Sequence, residues 1–433
     1  MRRLAATLLC AAAVATLAST AAAATPAWTS APVSEAGALN PTGLEFAADG
    51  SGVLTWEGFV QGHQPSPKLT GLALRSPAGI WTRGPDVPGV TWGLARVHVV
   101  GSRTVMVGMR AYAFGAYNRA RWEVVTATGQ LDGSFGRVGA LARPVGWVGS
   151  ASGGHGEVLA AWLTRDTSAL RIERVLPTST SERTVSPDGV ARALLVIGPA
   201  GHVLAAWTRG QRIEARLRTP GGHWGRVHSI EPRGPVPEAL HGAVGADGRA
   251  IVARGATKTR EGEPGQWRFR TATTRSGERW ATHSLESFTH AQVAAPATAL
   301  PIFDAAGTGR VAWTGRAGGG VAVKVAHADS THVEALPVSR PVAVDDFALS
   351  RTGELALTFS PPTPGQGPGP GPFVTTAPRG ARFGAPADVG APDSAPLQGA
   401  RLAFDPVSAR PTVAWTAIAG GVSRLWTATR NPA

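Results

Sequence analysis

Short apolar runs that follow a glycine and end in tryptophan recur along the chain. The two clearest copies, residues 156–162 and 201–207, read Gly-Glu-Val-Leu-Ala-Ala-Trp and Gly-His-Val-Leu-Ala-Ala-Trp. Weaker copies end at Trp56, Trp313 and Trp415. A glycine followed by a short apolar run predicts a strand that leaves a tight turn. Its recurrence predicts a repeat protein built from strands.

Each of these runs belongs to a predicted hairpin, and eight copies of the hairpin can be aligned. In most copies the start and the end of the pattern are ten residues apart, as from Phe46 to Trp56 and from Ile197 to Trp207. The second strands end near positions 56, 109, 162, 207, 254, 313, 357 and 415, which gives a mean period of about 51 residues. That period predicts a β-propeller blade. The alternative, an immunoglobulin-like array, has domains of about 100 residues.

Two further strands complete each predicted repeat. The third strand alternates in character: in Arg-Ile-Glu-Ala-Arg-Leu, residues 212–217, the alternation places Ile213 and Ala215 on one face. In most repeats a glycine turn with an aromatic residue follows, as at Trp81 and Trp224, and a fourth strand leaves from that turn. Each repeat therefore has four strands.

The two ends of the sequence have complementary parts of one repeat. The last repeat has a hairpin at residues 402–415 and a third strand at 423–429, with no fourth strand after it. Residues 26–33 resemble a turn aromatic, Trp28, and a fourth strand without a hairpin before it. A blade shared between both ends removes an open sheet edge. We therefore predict an all-β fold: one domain, residues 25–433, forming an eight-bladed β-propeller of four-stranded antiparallel blades, closed by the N-terminal strand.

The first 24 residues have the pattern of a cleaved secretory signal. Arg2 and Arg3 precede an apolar run over residues 4–17, which is too short to span a bilayer, and small residues lead to Ala24. We expect cleavage after Ala24 and a secreted, extracellular protein, with the general and twin-arginine export routes both open. Cys10, the only cysteine, lies inside this segment. No disulfide is therefore expected in the mature chain.

Arginine supplies nearly all of the positive charge. The formal net charge is +13 at pH 7, and the only lysines are Lys68, Lys258 and Lys324. A basic protein can bind anionic polymers. However, the charges are spread along the chain and no nucleic-acid motif accompanies them. We expect no nucleic-acid partner, no membrane association and a monomer.

The tryptophans at repeated positions predict packing rather than a sugar-binding surface. Five of them end second strands, and four others lie in the turn before the fourth strand: Trp56, Trp162, Trp207, Trp313 and Trp415, then Trp28, Trp81, Trp224 and Trp280. A repeated position indicates a repeated contact, here a wedge between blades. Trp92 and Trp147 precede first strands and are better candidates for an exposed face.

The succession of an apolar strand, an alternating strand and a glycine–tryptophan turn resembles the sialidase-like β-propellers. That family carries Asp-box (BNR-type) turns of the form Ser-x-Asp-x-Gly-x-x-Trp. Here Ser76-Pro-Ala-Gly79-Ile-Trp81 and Ser276-Gly277-Glu-Arg-Trp280 keep part of that pattern and lack the central aspartate. The resemblance covers most of the mature chain, with degenerate repeats.

The resemblance implies a hydrolase site with three arginines on a substrate carboxylate, a tyrosine nucleophile paired with a glutamate, and an acidic aspartate. The family's tyrosine comes late in the chain, whereas Tyr112 and Tyr117 lie in one early loop. No Arg-x-Pro motif stands at the expected first strand. The catalytic residues of the family are therefore not matched.

Motifs for other chemistries are absent from the sequence. It contains no metalloprotease, nucleophile-elbow, phosphate-loop or calcium-loop motif, and its eleven histidines lack ligand spacing. We expect neither a cofactor nor a metal. Asp345 and Asp346 open a first strand near the expected central channel. They are candidates for a paired-acid site, and the alternative is a solvated turn.

Arginines stand at or just past the ends of several predicted second strands: Arg110, Arg165, Arg209, Arg254 and Arg316. With Tyr112 they would surround one mouth of the channel and suit an anionic glycan, because guanidinium groups bind carboxylate and phosphate with paired donors. The alternative is a set of solvated charges. The sequence therefore favours a binding module for an anionic glycan, a cell-envelope polymer or another polyanion. A glycoside hydrolase or lyase of sialidase-like architecture, or a structural envelope protein, are the alternatives.

Overall fold

Strands and short turns make up the part of the chain that the computed structural model describes, and that part contains no helix. The described residues are 28–34, 37–59, 68–85, 87, 95–114, 120–153, 155–176, 183–231, 237, 239–258, 265–274, 279–290, 298–317, 320–330, 332–336, 338, 342–361, 371–390, 394–397 and 399–432. The expected signal segment, residues 1–24, and Trp92 lie outside them, so export stays a prediction.

The strands form eight antiparallel sheets. The first strand is β1 (Trp28–Pro32). Blade 1 follows with β2 (Ala38–Phe46), β3 (Gly52–Phe59), β4 (Lys68–Arg75) and β5 (Trp81–Arg83); blade 2 has β6 (Arg96–Val100), β7 (Arg103–Phe114), β8 (Ala120–Gln130) and β9 (Gly139–Ala142). Blade 3 has β10 (Gly146–Ser152), β11 (Val158–Leu163), β12 (Leu170–Leu176) and β13 (Arg183–Thr184); blade 4 has β14 (Arg192–Ile197), β15 (Val203–Arg209), β16 (Arg212–Arg218) and β17 (His228–Glu231).

The second half of the chain repeats the arrangement. Blade 5 has β18 (Ala239–Val244), β19 (Ala250–Lys258), β20 (Gly265–Thr274) and β21 (Trp280–His290); blade 6 has β22 (Ala299–Phe303), β23 (Gly309–Ala317), β24 (Gly320–His327) and β25 (Val333–Leu336). Blade 7 has β26 (Ala343–Leu349), β27 (Leu355–Ser360), β28 (Phe373–Ala377) and β29 (Ala387–Asp388); blade 8 has β30 (Ser394–Pro396), β31 (Arg401–Phe404), β32 (Pro411–Ala419) and β33 (Val422–Arg430).

The first strand of each blade lines a central channel. These inner strands contact one another in a closed ring, and β31 of blade 8 contacts β2 of blade 1. In blade 8 the inner position is divided, because β30 and β31 pair with different parts of β32. The eight-bladed propeller predicted from the sequence is confirmed.

Strand β1 closes the ring as the fourth strand of blade 8. It pairs antiparallel with β33, with Trp28 opposite Arg430 and Pro32 opposite Trp426. The pairing gives hydrogen-bond partners to the outer edge of β33, which would otherwise be open. The predicted sharing of one blade between both ends is confirmed.

Among the described residues the hydrophobic core consists of eight clusters, each between two neighbouring blades. The five tryptophans predicted to end second strands lie within those strands and in these clusters, and they are at most 5% exposed: Trp56, Trp162, Trp207, Trp313 and Trp415. The apolar face of each blade is thus covered by the next blade, as in any layered β architecture. The prediction that these tryptophans act as wedges is confirmed.

Acid–arginine pairs connect neighbouring blades at the end opposite the starts of the inner strands. In each pair the acid lies in the turn between the inner strand and the second strand of one blade, and the arginine is at the end of the third strand of the next blade. The pairs are Glu157 with Arg218, Glu354 with Arg430, and Asp405 with Arg75. The side chains of both members are at most 19% exposed. We call these pairs the interblade clasps.

In the turns between first and second strands, the residue before the last position has a positive φ, in the left-handed region. Glycine fills it at Gly50, Gly201 and Gly353, with φ between 81° and 89°. In blade 8 the corresponding residue is Ala409, with φ of 53°. A residue with a side chain is strained in that region, which explains why glycine recurs here in the sequence.

Candidate functional site

A cavity of about 580 Å³ occupies the central channel. Residues from the inner strands of blades 2 to 8, together with Thr42 of blade 1, line it. Most of the lining is apolar or small, but four residues bring titratable side chains: Arg96, His241, Asp346 and Arg401. We call these four residues the channel cluster. A volume of this size lies within the range of small-molecule sites in proteins.

The strand positions explain why two arginines meet in this cavity. Arg96 is the first residue of β6 and Arg401 is the first residue of β31, so both enter at the same end of the ring. Arg96 is exposed to the channel and its Nε donates to the carbonyl oxygen of Thr42 at 3.1 Å. The Nη1 of Arg401 donates to the carbonyl oxygen of Ala400 at 3.3 Å, and its buried Nε has no hydrogen-bond partner in the described part of the chain.

The two guanidinium groups repel each other. Partial desolvation in the channel wall lowers the pKa of Arg96 below its usual value, and the charge of Arg401 lowers it further; Glu45 and Asp346 partly oppose the shift. Arginine nevertheless stays protonated in proteins. Burial, followed by the charge of Arg401, lowers the pKa of His241 to about 4. His241 is therefore neutral at pH 7, and the cationic groups of the cluster are the two arginines.

The oxygen atoms of Asp346 are already occupied. Its Oδ1 accepts a hydrogen bond from the backbone N–H of Phe347 at 2.9 Å, and its Oδ2 accepts one from the N–H of Leu402 in blade 8 at 3.0 Å. Burial raises the pKa of Asp346, although Arg401 and these hydrogen bonds counteract the shift. Asp346 thus links blades 7 and 8 beside the cavity.

Asp345 lies at a bulge of β26, where the register with β27 shifts between Val344 and Asp346. Its Oδ2 accepts a hydrogen bond from Ser360 Oγ at 2.5 Å. Burial raises its pKa to about 7, against the opposing effects of Ser360 and Arg401. Asp346 lines the cavity and Asp345 does not, so the predicted carboxylate pair does not present both acids to one ligand.

Replacing Asp345 by Asn should change how stability depends on pH. An unfolded aspartate titrates near 3.9, so between about pH 4 and pH 7 the folded protein binds more protons than the unfolded chain. The contribution of Asp345 to the free energy of unfolding therefore falls as pH rises through this range. We expect Asp345→Asn to raise the urea midpoint at pH 8 relative to wild type by more than at pH 5. Asp329→Asn, at an exposed turn, is the control; an equal effect of Asp345→Asn at both pH values would contradict the prediction.

A second polar arrangement crosses three inner strands. His98 of β6 has its Nδ1 2.7 Å from Glu45 Oε1 of β2 and its Nε2 2.8 Å from Ser150 Oγ of β10. Glu45 Oε2 also accepts the backbone N–H of Val99 at 2.9 Å. Burial raises the pKa of Glu45, but His98 and Val99 outweigh it, so its pKa lies below the usual value. Ser150 lines the same cavity as the channel cluster.

Three of the arginines predicted for the rim form ion pairs with glutamates. Arg110 Nε donates to Glu123 Oε1 at 2.8 Å, and Arg209 Nη2 donates to Glu214 Oε1 at 2.8 Å. Arg254 is 2% exposed and pairs with Glu231, which also accepts from Arg270 at 2.7 Å. The glutamates neutralise much of the charge that these arginines would offer to a polyanion.

The other predicted rim residues have different positions. Arg165 and Arg316 are exposed. Glu286 accepts the backbone N–H of Arg316 at 3.1 Å, and also binds Trp313 and Lys324. Tyr112 was expected in a loop but lies within strand β7, and its side chain is outside the described part of the structure.

Sequence reasoning missed Arg96, Arg401 and His241. The available signal was an arginine at the first residue of two apolar first strands, β6 and β31, and a histidine inside a third, β18. Trp147, expected at an exposed face, is half-buried and lines the cavity. Its position at the start of a first strand was the correct clue.

A second cavity of about 630 Å³ lies between blades 7 and 8, where Glu354 already pairs with Arg430. Within the described ranges, no three His, Cys, Asp or Glu side chains are grouped so that they could hold a metal ion. No helix long and apolar enough to cross a membrane occurs among the described residues.

Comparison with known proteins supports the fold. No protein-family model matches the chain, and no curated protein matches its sequence. The Dos1 propeller shares 8% identity over 93% of this chain and 95% of its own, with a TM-score of 0.51. The Trypanosoma rangeli sialidase shares 10% over 94% and 60%, with a TM-score of 0.40, and the polysaccharide lyase Uly1 shares 12% over 92% and 90%, with a TM-score of 0.42. At these identities the likeness concerns the β-propeller fold alone.

Proposed function

We propose that the protein is a binding β-propeller that holds an anionic group, such as the carboxylate of an acidic sugar, in its central channel. Arg96 and Arg401 are the residues that would bind it. The proposal keeps the predicted preference for anionic glycans and the predicted export. It moves the binding site from the rim into the channel.

The balance of hydrogen-bond donors and acceptors in the cavity carries the proposal. Both oxygens of Asp346 accept backbone N–H groups. In contrast, the terminal nitrogens of Arg96 have no hydrogen-bond acceptor among the described residues, and Arg401 has one long bond to a backbone carbonyl. Unpaired donors in a partly desolvated site favour a ligand rich in acceptor oxygens, and two guanidinium groups favour a negative one.

The rim arginines contribute less to this proposal, because Arg110, Arg209 and Arg254 each have a glutamate partner. A ligand at the rim would have to compete with those carboxylates. Screening by salt also weakens exposed charges more than charges inside a channel. Binding inside the channel should therefore persist at physiological salt.

The test is calorimetric titration of the protein with galacturonate and di-galacturonate, and with the matching neutral galactose sugars. We expect the acidic sugars alone to bind. Each of Arg96→Gln and Arg401→Gln should weaken binding about 10- to 100-fold, because a charge-assisted hydrogen bond contributes about 1.5–3 kcal/mol. Arg165→Gln and Arg316→Gln, at exposed arginines, should bind like wild type.

Several results would contradict the channel site. Equal binding of neutral and acidic sugars would show that charge is not recognised. Loss of affinity in the rim variants, with the channel variants unaffected, would return the site to the rim. Binding that disappears at physiological salt in every variant would reflect net charge alone.

The alternative function is a glycoside hydrolase or lyase of sialidase-like architecture acting through Asp345 and Asp346. Its support is the raised pKa of Asp345, which suits a general acid. The observation against it is that Asp346 lines the cavity and Asp345 does not. The test is the release of reducing ends from an acidic polysaccharide. Activity of the wild-type protein that is lost in Asp346→Asn would favour this alternative.

A further inference from the structure

Glu45, His98 and Ser150 form a chain of hydrogen bonds with the connectivity of an acid–base–nucleophile triad. The distance from Glu45 Oε1 to His98 Nδ1 is 2.7 Å, and that from His98 Nε2 to Ser150 Oγ is 2.8 Å. Both lie within the range in which a base activates a hydroxyl nucleophile. The three residues come from the inner strands of blades 1, 2 and 3.

The hydrogen bonds determine the tautomer of His98. The pKa of Glu45 lies below its usual value, so its carboxylate is ionised at neutral pH and can only accept. His98 Nδ1 must therefore carry the proton that Glu45 accepts. In the neutral imidazole, Nε2 is then an acceptor, and it faces the hydroxyl of Ser150. This is the tautomer that a general base requires.

Ser150 has access to the cavity. His98 is 1% exposed and Ser150 is 4% exposed, but Ser150 belongs to the wall of the channel cavity. A base buried behind a nucleophile at a cavity wall is shielded from water.

A cationic donor lines the same cavity. Arg96 lies two residues before His98 on β6, so both side chains extend from the same side of the strand. Its terminal N–H groups have no acceptor among the described residues. Donors placed where negative charge develops are a large part of acyl-transfer catalysis.

We propose that Ser150 is the nucleophile of an ester-hydrolysing site in the channel, with His98 as its general base and Glu45 as the residue that orients His98. The substrate class is a carboxylic ester small enough for the cavity. This activity goes beyond binding of an anionic group by Arg96 and Arg401 and does not require it.

Ser150 Oγ forms a bond to the carbonyl carbon as its proton moves to His98 Nε2, and the carbonyl electron pair moves to oxygen beside Arg96. The intermediate collapses, the bond to the leaving alcohol breaks, and that alcohol takes the proton from His98. Water then attacks the acyl-Ser150 ester by the same route, releasing the acid and restoring the hydroxyl.

The competing interpretation is that the three residues only join three blades. A structural link would stabilise the ring but would not make Ser150 reactive. Reactivity toward a fluorophosphonate probe separates the two, because such a probe bonds covalently to an activated serine and not to an ordinary one.

The experiment treats the full chain with a fluorophosphonate probe and locates the adduct by fragmentation mass spectrometry, which distinguishes Ser150 from Ser152. We expect a single adduct on Ser150 and none in Ser150→Ala. His98→Gln should slow labelling about 100-fold or more, because a general base contributes about 10²- to 10⁴-fold. Ser186→Ala, at a buried serine of blade 3 outside the cavity, should label like wild type.

Folding is checked for each variant by near-ultraviolet circular dichroism, so that a loss of labelling is not a loss of structure. Absence of an adduct on folded wild-type protein would overturn the proposal, as would an adduct that persists in Ser150→Ala. Labelling that His98→Gln leaves unchanged would also overturn it. The assay contains no anionic sugar, so its failure bears on the triad and not on ligand binding.

Discussion

Glu157→Gln is expected to destabilise the protein by about 3–5 kcal/mol, the range found when one partner of a buried ion pair is removed. Glu157 Oε1 accepts from Arg174 Nε at 2.8 Å and from Arg218 Nη1 at 2.9 Å, and its Oε2 accepts from Arg218 Nη2. The Arg218 side chain is 7% exposed. The amide would leave a buried guanidinium of blade 4 without a counter-charge in blade 3.

The measurement is the urea midpoint at pH 7, monitored by tryptophan fluorescence. Asp247→Asn provides the control, since Asp247 pairs with Arg249 within one turn and the two side chains are 51% and 35% exposed. Exposed pairs contribute about 0–1 kcal/mol. A Glu157→Gln variant no less stable than Asp247→Asn would show that the interblade clasps do not hold the ring together.

Trp207→Phe is expected to cost about 2–4 kcal/mol, and Trp415→Phe about 1–2 kcal/mol, although both tryptophans are fully buried at the same repeated position. Trp207 Nε1 donates to Glu214 Oε2 at 2.8 Å. Trp415 Nε1 is buried with no hydrogen-bond partner among the described residues. Phenylalanine therefore removes packing at both positions, but it leaves a buried carboxylate oxygen without its donor only in blade 4.

Paired urea unfolding of the two variants tests this difference. The packing loss is shared, so the difference between the two free energies of unfolding reports on the polar groups. These are the hydrogen bond that Glu214 loses in blade 4 and the unpaired indole N–H that is no longer buried in blade 8. Equal losses would mean that Arg209, which also binds Glu214 at 2.8 Å, compensates fully for the missing indole donor.

The fold was predictable because every blade carries its own local pattern. The glycine turns, the apolar second strands and the tryptophans in those strands are short-range features, and their period of about 51 residues selects a propeller over a sandwich. The closing strand was also visible, since residues 28–32 match a fourth strand and the last repeat lacks one. The division of the inner strand of blade 8 into β30 and β31 had no such signal.

The rim arginines show where residue type alone misleads. Arg209 ends its second strand as predicted, whereas Arg110 and Arg254 lie four residues inside theirs. The ion-pair partners of all three lie on third or fourth strands. Arg110 and Glu123 are opposite each other in the register of β7 and β8. A one-residue change of register would move the carboxylate to the other face, so the sequence pattern did not reveal this neutralisation.

The sequence by itself determined the repeat, with its strands, turns, buried tryptophans and closing strand. These features follow from contacts between residues near in sequence or from the repeat period. Only the tertiary structure decided which polar side chains meet. Glu45, His98 and Ser150 are 53 and 52 residues apart, about one blade each, and Arg96 of blade 2 and Arg401 of blade 8 are 401 − 96 = 305 residues apart. They converge because the inner strands of all blades surround one axis. Residues that are far apart in the sequence are therefore close together at that axis.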